Sequence, residues 1–154
     1  MAGYGLVLIL QLYLTLIRII NFKPSQHQFV VFFKMQEISS VVRLDKDNIS
    51  AEPWQLFELY EPIDSLDKPD FEQINRISIF VEEQFEKWER PVVITCGTGG
   101  EMTGIMLACY LVYVGHSAES AIYSVETSRP GSITDSSYKN VVFDYSSYIR
   151  PDTE

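Results

Sequence analysis

The stretch PVVITCGTGGEMTG, from Pro91 to Gly104, restricts the fold of this chain more than any other. Pro91 to Thr95 is a short β-branched apolar run, the pattern of a strand buried on both faces. Gly97 to Gly100 then places three glycines in four positions, which opens backbone conformations closed to other residues. From Met102 the sequence MTGIMLACYLVYV is apolar on nearly every side, which predicts a buried helix. A strand, a glycine-rich turn and a helix N-terminus aim several N–H groups at one point. Such a point is an anion site, and a phosphate group suits it. Cys96 stands at the head of the turn, where amides and a positive helix end stabilise a thiolate, the nucleophilic form of the side chain. The alternative for Cys96 is an inert buried thiol.

The order of strand, Cys, five loop residues and a Thr-Gly opening an apolar helix resembles the cysteine-dependent protein tyrosine phosphatase superfamily. Within it the chain is similar to the small dual-specificity phosphatases, including the mitotic-exit type. The stretches FFKMQEISSVVRLDK, EPIDSLDKPDFEQI, LACYLV and SAESAIYSVETSRPGSI agree with that family in order and spacing, so the similarity spans roughly residues 29 to 150. The resemblance implies roles for particular residues. Cys96 matches the nucleophile that takes the phosphoryl group as a thiophosphate. Thr103 matches the hydroxyl residue that hydrogen-bonds the thiolate and helps it leave, although it would serve equally as a cap of its own helix. Asp64 lies within one position of the general acid that protonates the leaving oxygen. Asp67 is the second candidate, or else the N-cap of the helix that follows. Gly97, Thr98, Gly99, Gly100, Glu101 and Met102 fall where the family's loop lines the phosphate.

Two positions depart from the family pattern. The loop of the family ends in an Arg six residues after the Cys, whose planar fork grips two phosphoryl oxygens; here that residue is Met102. The family usually has His before the Cys, and here it is Thr95. Met offers neither donor nor charge. Charge-assisted hydrogen bonds contribute about 1.5–3 kcal/mol each, and the absent Arg would make two. Their loss removes roughly a hundredfold to several thousandfold of transition-state stabilisation. Glu101 beside Met102 adds a negative charge near a site suited to a dianion. The function implied is a phosphatase-like protein impaired in catalysis that binds phosphorylated protein or peptide. The alternative is an active phosphatase that uses Cys96 and Asp64 and takes its cation from elsewhere, such as Arg129.

Composition narrows the partners. The chain has 154 residues and a formal net charge of −9, enough length for one domain with a proper core. An acidic surface argues against nucleic acid and anionic lipid head groups. Cys109 lies about two helical turns beyond the loop that follows Cys96, roughly 10 Å along the axis, which makes a disulfide between them implausible and suits a reducing, cytoplasmic setting. Two His and two separated Cys offer no metal-ligand spacing, and no cofactor is implied.

The rest of the chain reads as scaffold. Residues 1–22 form an apolar N-terminal segment and residues 23–154 the phosphatase-like domain. YGLVLILQLYLTLIRII, from Tyr4 to Ile20, is shorter than a spanning helix and is interrupted by Gln11, Thr15 and Arg18. A strand or helix on the core is preferred there over membrane attachment. No basic start precedes it, which argues against a signal peptide. His27 to Ile38 reads as a short helix, Val41 to Leu44 and Leu56 to Tyr60 as strands. Phe71, Ile74, Ile77, Val81, Phe85 and Trp88 recur every three or four residues, predicting an amphipathic helix with Trp88 as a core anchor. Asp70 and Gln73 have the spacing of a capping box. Gly115 ends the buried helix, Ser117 caps the next, and His116 between them reads as a surface residue. Arg129-Pro130-Gly131 closes that helix, and the resemblance implies that this Arg-Pro segment shapes the floor behind the loop. Val141, Val142, Tyr145 and Tyr148 predict a last helix on the sheet. The order is that of an α/β domain with a central, mostly parallel sheet flanked by helices. Ligands of such sheets sit beyond the carboxyl ends of the strands, where Cys96 and Asp64 would converge.

Overall fold

The sheet is organised around Val92–Cys96, in which all five residues are buried. A computed structural model describes residues 5–10, 18–22, 38–44, 57–64, 67–96 and 101–151. Five strands, β1 (Gly5–Leu10), β2 (Arg18–Phe22), β3 (Ser40–Arg43), β4 (Phe57–Tyr60) and β5 (Val92–Cys96), form one sheet in the order β2-β1-β5-β3-β4. β3 pairs in parallel with both β5 and β4, with Arg43 opposite Thr95 on one side and Tyr60 on the other. β1 runs antiparallel to β5, with Leu6 opposite Cys96, and β2 runs antiparallel to β1. Only β1 is therefore reversed, and four of these five described strands share one direction. The described parts of the apolar N-terminal stretch are thus strands that extend the sheet past β5. No helix among the described residues is long and apolar enough to cross a membrane.

Four helices flank the sheet: α1 (Phe71–Trp88), α2 (Glu101–Tyr113), α3 (Ala118–Ser128) and α4 (Ser136–Ile149). The capping box expected at α1 is present. The Gln73 amide donates to Asp70 Oδ1 at 2.7 Å and the Asp70 amide to Gln73 Oε1 at 3.3 Å, so Asp70 is the N-cap and Asp67 is not. Ile74, Ile77, Val81 and Phe85 face the core, and Glu82, Glu83 and Glu86 lie away from its centre. Trp88 does not anchor it, being 49% exposed. Phe85 takes the last inward position. Trp88 ends the helix at a left-handed Glu89 (φ 50°), and the cations of Lys87 and Arg90 lie 5.4 and 5.0 Å from its ring centroid.

α2 is buried at every position from Met102 to Val112. Its lack of an apolar stripe follows from its surroundings, since it packs against β5 and β1 and against all three other helices. Gly115, at φ 119°, stops it, and the Gly115 and His116 amides donate back to Val112 and Leu111 carbonyls. Arg150 donates to the carbonyls of Val112 and His116, both at 2.7 Å, which satisfies the end of this helix. Ser117 caps α3, as its sequence predicts. α4 packs on α2 and α3, not on the sheet, because α2 already fills the layer between. Val141, Val142 and Tyr145 point inward, while Tyr148 is exposed and leans on Phe71 with ring centroids 4.7 Å apart. The expected helix at 27–38 and the polar loop after Leu44 fall almost wholly outside the described residues.

Candidate active site

Parallel pairing fixes which end of the sheet carries the chemistry. The Leu44 amide donates to the Thr95 carbonyl at 3.0 Å, and the Glu61 and Ile63 amides to the carbonyls of Arg43 and Leu44, both at 3.0 Å. These bonds extend the ladder past the strand ends, so Cys96 at the end of β5 and Asp64 after β4 lie beyond the same carboxyl edge.

On the β5 side, Cys96 is 7% exposed and belongs to the apolar core cluster. Neither it nor Cys109 forms a disulfide. Burial raises the Cys109 thiol far above its ordinary range, which leaves it inert. Thr95 is buried, and its hydroxyl donates to the Val42 carbonyl at 3.5 Å, toward β3 and not toward the sulfur. This follows from the alternation of side chains along a strand. Gly97, Thr98, Gly99 and Gly100, the expected phosphate cradle, lie outside the described residues. At its far end Met102 is 6% exposed and joins the same core cluster as Cys96. Thr103 is the third residue of α2, too far inside to cap it, and its buried hydroxyl has no hydrogen-bond partner among the described residues.

Glu101 opens α2, and its carboxylate is turned to the start of α4. Oε1 accepts the Thr134 amide at 3.0 Å, the Asp135 amide at 3.3 Å and the Thr134 hydroxyl. The charge that sequence alone places near the anion site is thus held by donors from another element. The segment 129–135 behind α2 is tied down from its other side by Glu126, which accepts the amides of Gly131 (3.1 Å) and Ile133. A Cβ on Gly104 would stand 2.7 Å from the Ser132 carbonyl oxygen, so only glycine lets this segment reach the first turn of α2. Arg129 caps α3 through its backbone, and burial lowers the pKa of its guanidinium.

On the other side Asp64 and Asp67 are exposed, and the Asp67 amide donates to the Asp64 carbonyl at 2.9 Å. Lys68 follows. It acts electrostatically on Asp135, the N-cap of α4, whose carboxyl sits below the usual range because the Ser137 hydroxyl and amide hydrogen-bond it and Lys68 adds to the effect. Arg43, the cation at the end of β3, is paired with Glu58 at 2.9 Å and lies 4.0 Å over the Tyr60 ring, turned toward β4. Among the described residues no group of His, Cys, Asp and Glu has the geometry of a metal site.

Sequence reasoning singled out Cys96, Asp64, Glu101, Met102 and Thr103, but not Lys68, Glu126, Thr134 or Asp135. For Asp135 a signal existed: an Asp followed by Ser-Ser before an apolar-periodic run is an N-cap pattern.

A family model described as "Polymorphic toxin system, DSP-PTPase phosphatase" matches residues 18–116, more than half of the chain. Solved structures agree on the fold. A mutant form of Tk-PTP superimposes with a TM-score of 0.72 at 24% identity, covering 83% of this chain and 88% of that one. Kinase associated phosphatase, in a form with its catalytic-site cysteine changed to serine, gives 0.73 at 17% identity, covering 83% and 79%. Human DUSP28 gives 0.69 at 13% identity, covering 80% and 87%. With a cysteine closing the central strand, an apolar helix behind it and a family match across both, this chain belongs to the cysteine-dependent protein tyrosine phosphatase superfamily, in its small dual-specificity group.

Proposed function

We propose that this protein is a dual-specificity phosphatase homologue of little or no turnover that binds phosphorylated protein or peptide at the Cys96 loop. The observation that carries this reading is Met102. It stands where the family has its phosphate-gripping Arg, and its side chain is buried among apolar neighbours. The nearest cation of the parallel strands, Arg43, is engaged by Glu58. The N-terminus of α2 attracts an oxyanion without supplying the guanidinium that stabilises it at the transition state. A net charge of −9 favours a protein or peptide ligand over nucleic acid, and two thiols outside any disulfide suit a cytoplasmic setting. Residues 23–154 are read as the phosphatase-like unit, and β1 and β2, within residues 1–22, pair antiparallel beside β5.

Calorimetry with phosphotyrosyl and phosphothreonyl peptides tests the binding. A preference for either over its unphosphorylated counterpart is expected, and equal affinity for all would count against a phosphate site.

The second reading is an active phosphatase. It is favoured by the placement of Asp64, exposed beyond the same strand ends as Cys96. In that case Cys96 Sγ attacks phosphorus, Asp64 gives its proton to the leaving oxygen, and water cleaves the thiophosphate. It requires a cation from outside the loop. A structure with bound oxyanion showing an ammonium or guanidinium in contact would establish it.

A further inference from the structure

We infer that Glu101 is a positioning residue whose carboxylate latches the exit of the anion loop to the N-terminus of α4. The inference rests on reading residues 97–102 as an anion cradle. In a loop that ends in Arg, the guanidinium itself can bridge ligand and protein. Here Met102 turns into the core, and the residue beside it makes the outward connection instead. Glu101 draws in three donors, two amides and one hydroxyl, across more than thirty residues of sequence. Those donors belong to a segment already fixed by Glu126 and in backbone contact with Gly104. The first turn of α2 is thus held at two points, by Gly104 against Ser132 and by Glu101 against Thr134 and Asp135. A helix start held in this way keeps its first amides in a fixed direction. The latch also turns the carboxylate of Glu101 toward donors that offset its charge, which makes it compatible with an anion nearby.

Two roles for Glu101 predict opposite signs. A latch makes Glu101→Ala weaken anion binding while Glu101→Gln, which keeps an acceptor oxygen, retains it. A merely repulsive charge makes both substitutions tighten binding. Binding of inorganic phosphate and of tungstate, measured by calorimetry on the full chain, separates them. Expected are a loss of about fivefold or more for Glu101→Ala and a smaller loss for Thr134→Val, which removes only the hydroxyl, with Glu101→Gln close to wild type. Tighter binding in both Glu101 variants, or unchanged binding in Glu101→Ala, would overturn the assignment. If wild type binds neither anion, the cradle reading fails. The latch is then judged by hydrogen exchange, where faster exchange at 97–104 and at the Thr134 and Asp135 amides is expected in Glu101→Ala but not in Glu101→Gln. Unaltered exchange would refute it. Should Glu101→Ala not fold, Thr134→Val gives the same two readouts.

Discussion

Cys96, Met102 and Thr103 lie on β5 and α2, where every residue from Met102 to Val112 is buried, whereas Asp64, Asp67 and Lys68 sit on an exposed segment between β4 and α1. The Cys96 side is part of the core, and the Asp64 side is tied to it by a short ladder of backbone hydrogen bonds. Substitutions therefore act differently on the two sides. On the Cys96 side Met102 fills apolar space that a guanidinium would have to leave. On the Asp64 side an exposed residue is free to change with little effect on stability.

The largest expected effect would break the contrast by returning the missing groups to the core side. Thr95→His with Met102→Arg should raise kcat/KM on an aryl phosphate by roughly 10²–10⁴, the equivalent of two charge-assisted hydrogen bonds. No gain would show that the loop lacks more than these two side chains.

Stability sharpens the same contrast. Leu107, fully buried in α2, should cost about 2–5 kcal/mol when changed to Ala. Asp64→Ala, on the exposed segment, should stay within about 0.5 kcal/mol. Denaturant titration of both variants measures the difference, and equal losses would erase it.

Gly104→Ala is expected to cost about 1–3 kcal/mol, since the added methyl meets a backbone oxygen that cannot swing aside. A neutral result would mean that segment 129–135 yields easily, which would also weaken its role behind the loop.

The smallest effect is one of pH. Burial pushes the Tyr145 phenol up to about 12, and its hydroxyl donates to Asn75 Oδ1 at 2.7 Å. The unfolded phenol ionises near pH 10, so the raised value favours the folded state fully below about pH 10 and that advantage is lost as pH rises toward 12. Tyr145→Phe should flatten the alkaline limb of the stability curve. An unchanged limb would place its cause elsewhere, for instance at Tyr110, which burial and Glu82 also raise.

Features written in local pattern were legible in the sequence. The run before Cys96, the all-apolar helix after it and the Asp70–Gln73 cap each follow from neighbours within a few residues, and each stands where the pattern puts it. Features set by distant partners were not. Trp88 continues the periodicity of α1, but the helix ends there and leaves it outside the core. α4 carries an inward stripe that reads the same whether it covers a sheet or another helix. The N-terminal apolar run gave no period to tell strand from helix, and pairing with β5 decides it. Glu101 announces a charge but not the Thr134 and Asp135 donors that take it up, because those contacts exist only once α4 is docked.

Steady-state hydrolysis of an aryl phosphate by the wild-type protein, beside Cys96→Ser under the same conditions, bears most directly on the claim that the site attracts a phosphate without turning it over. A wild-type rate no higher than that of the serine variant is the expected result. A rate comparable to that of active members of the superfamily, abolished in Cys96→Ser, would contradict it.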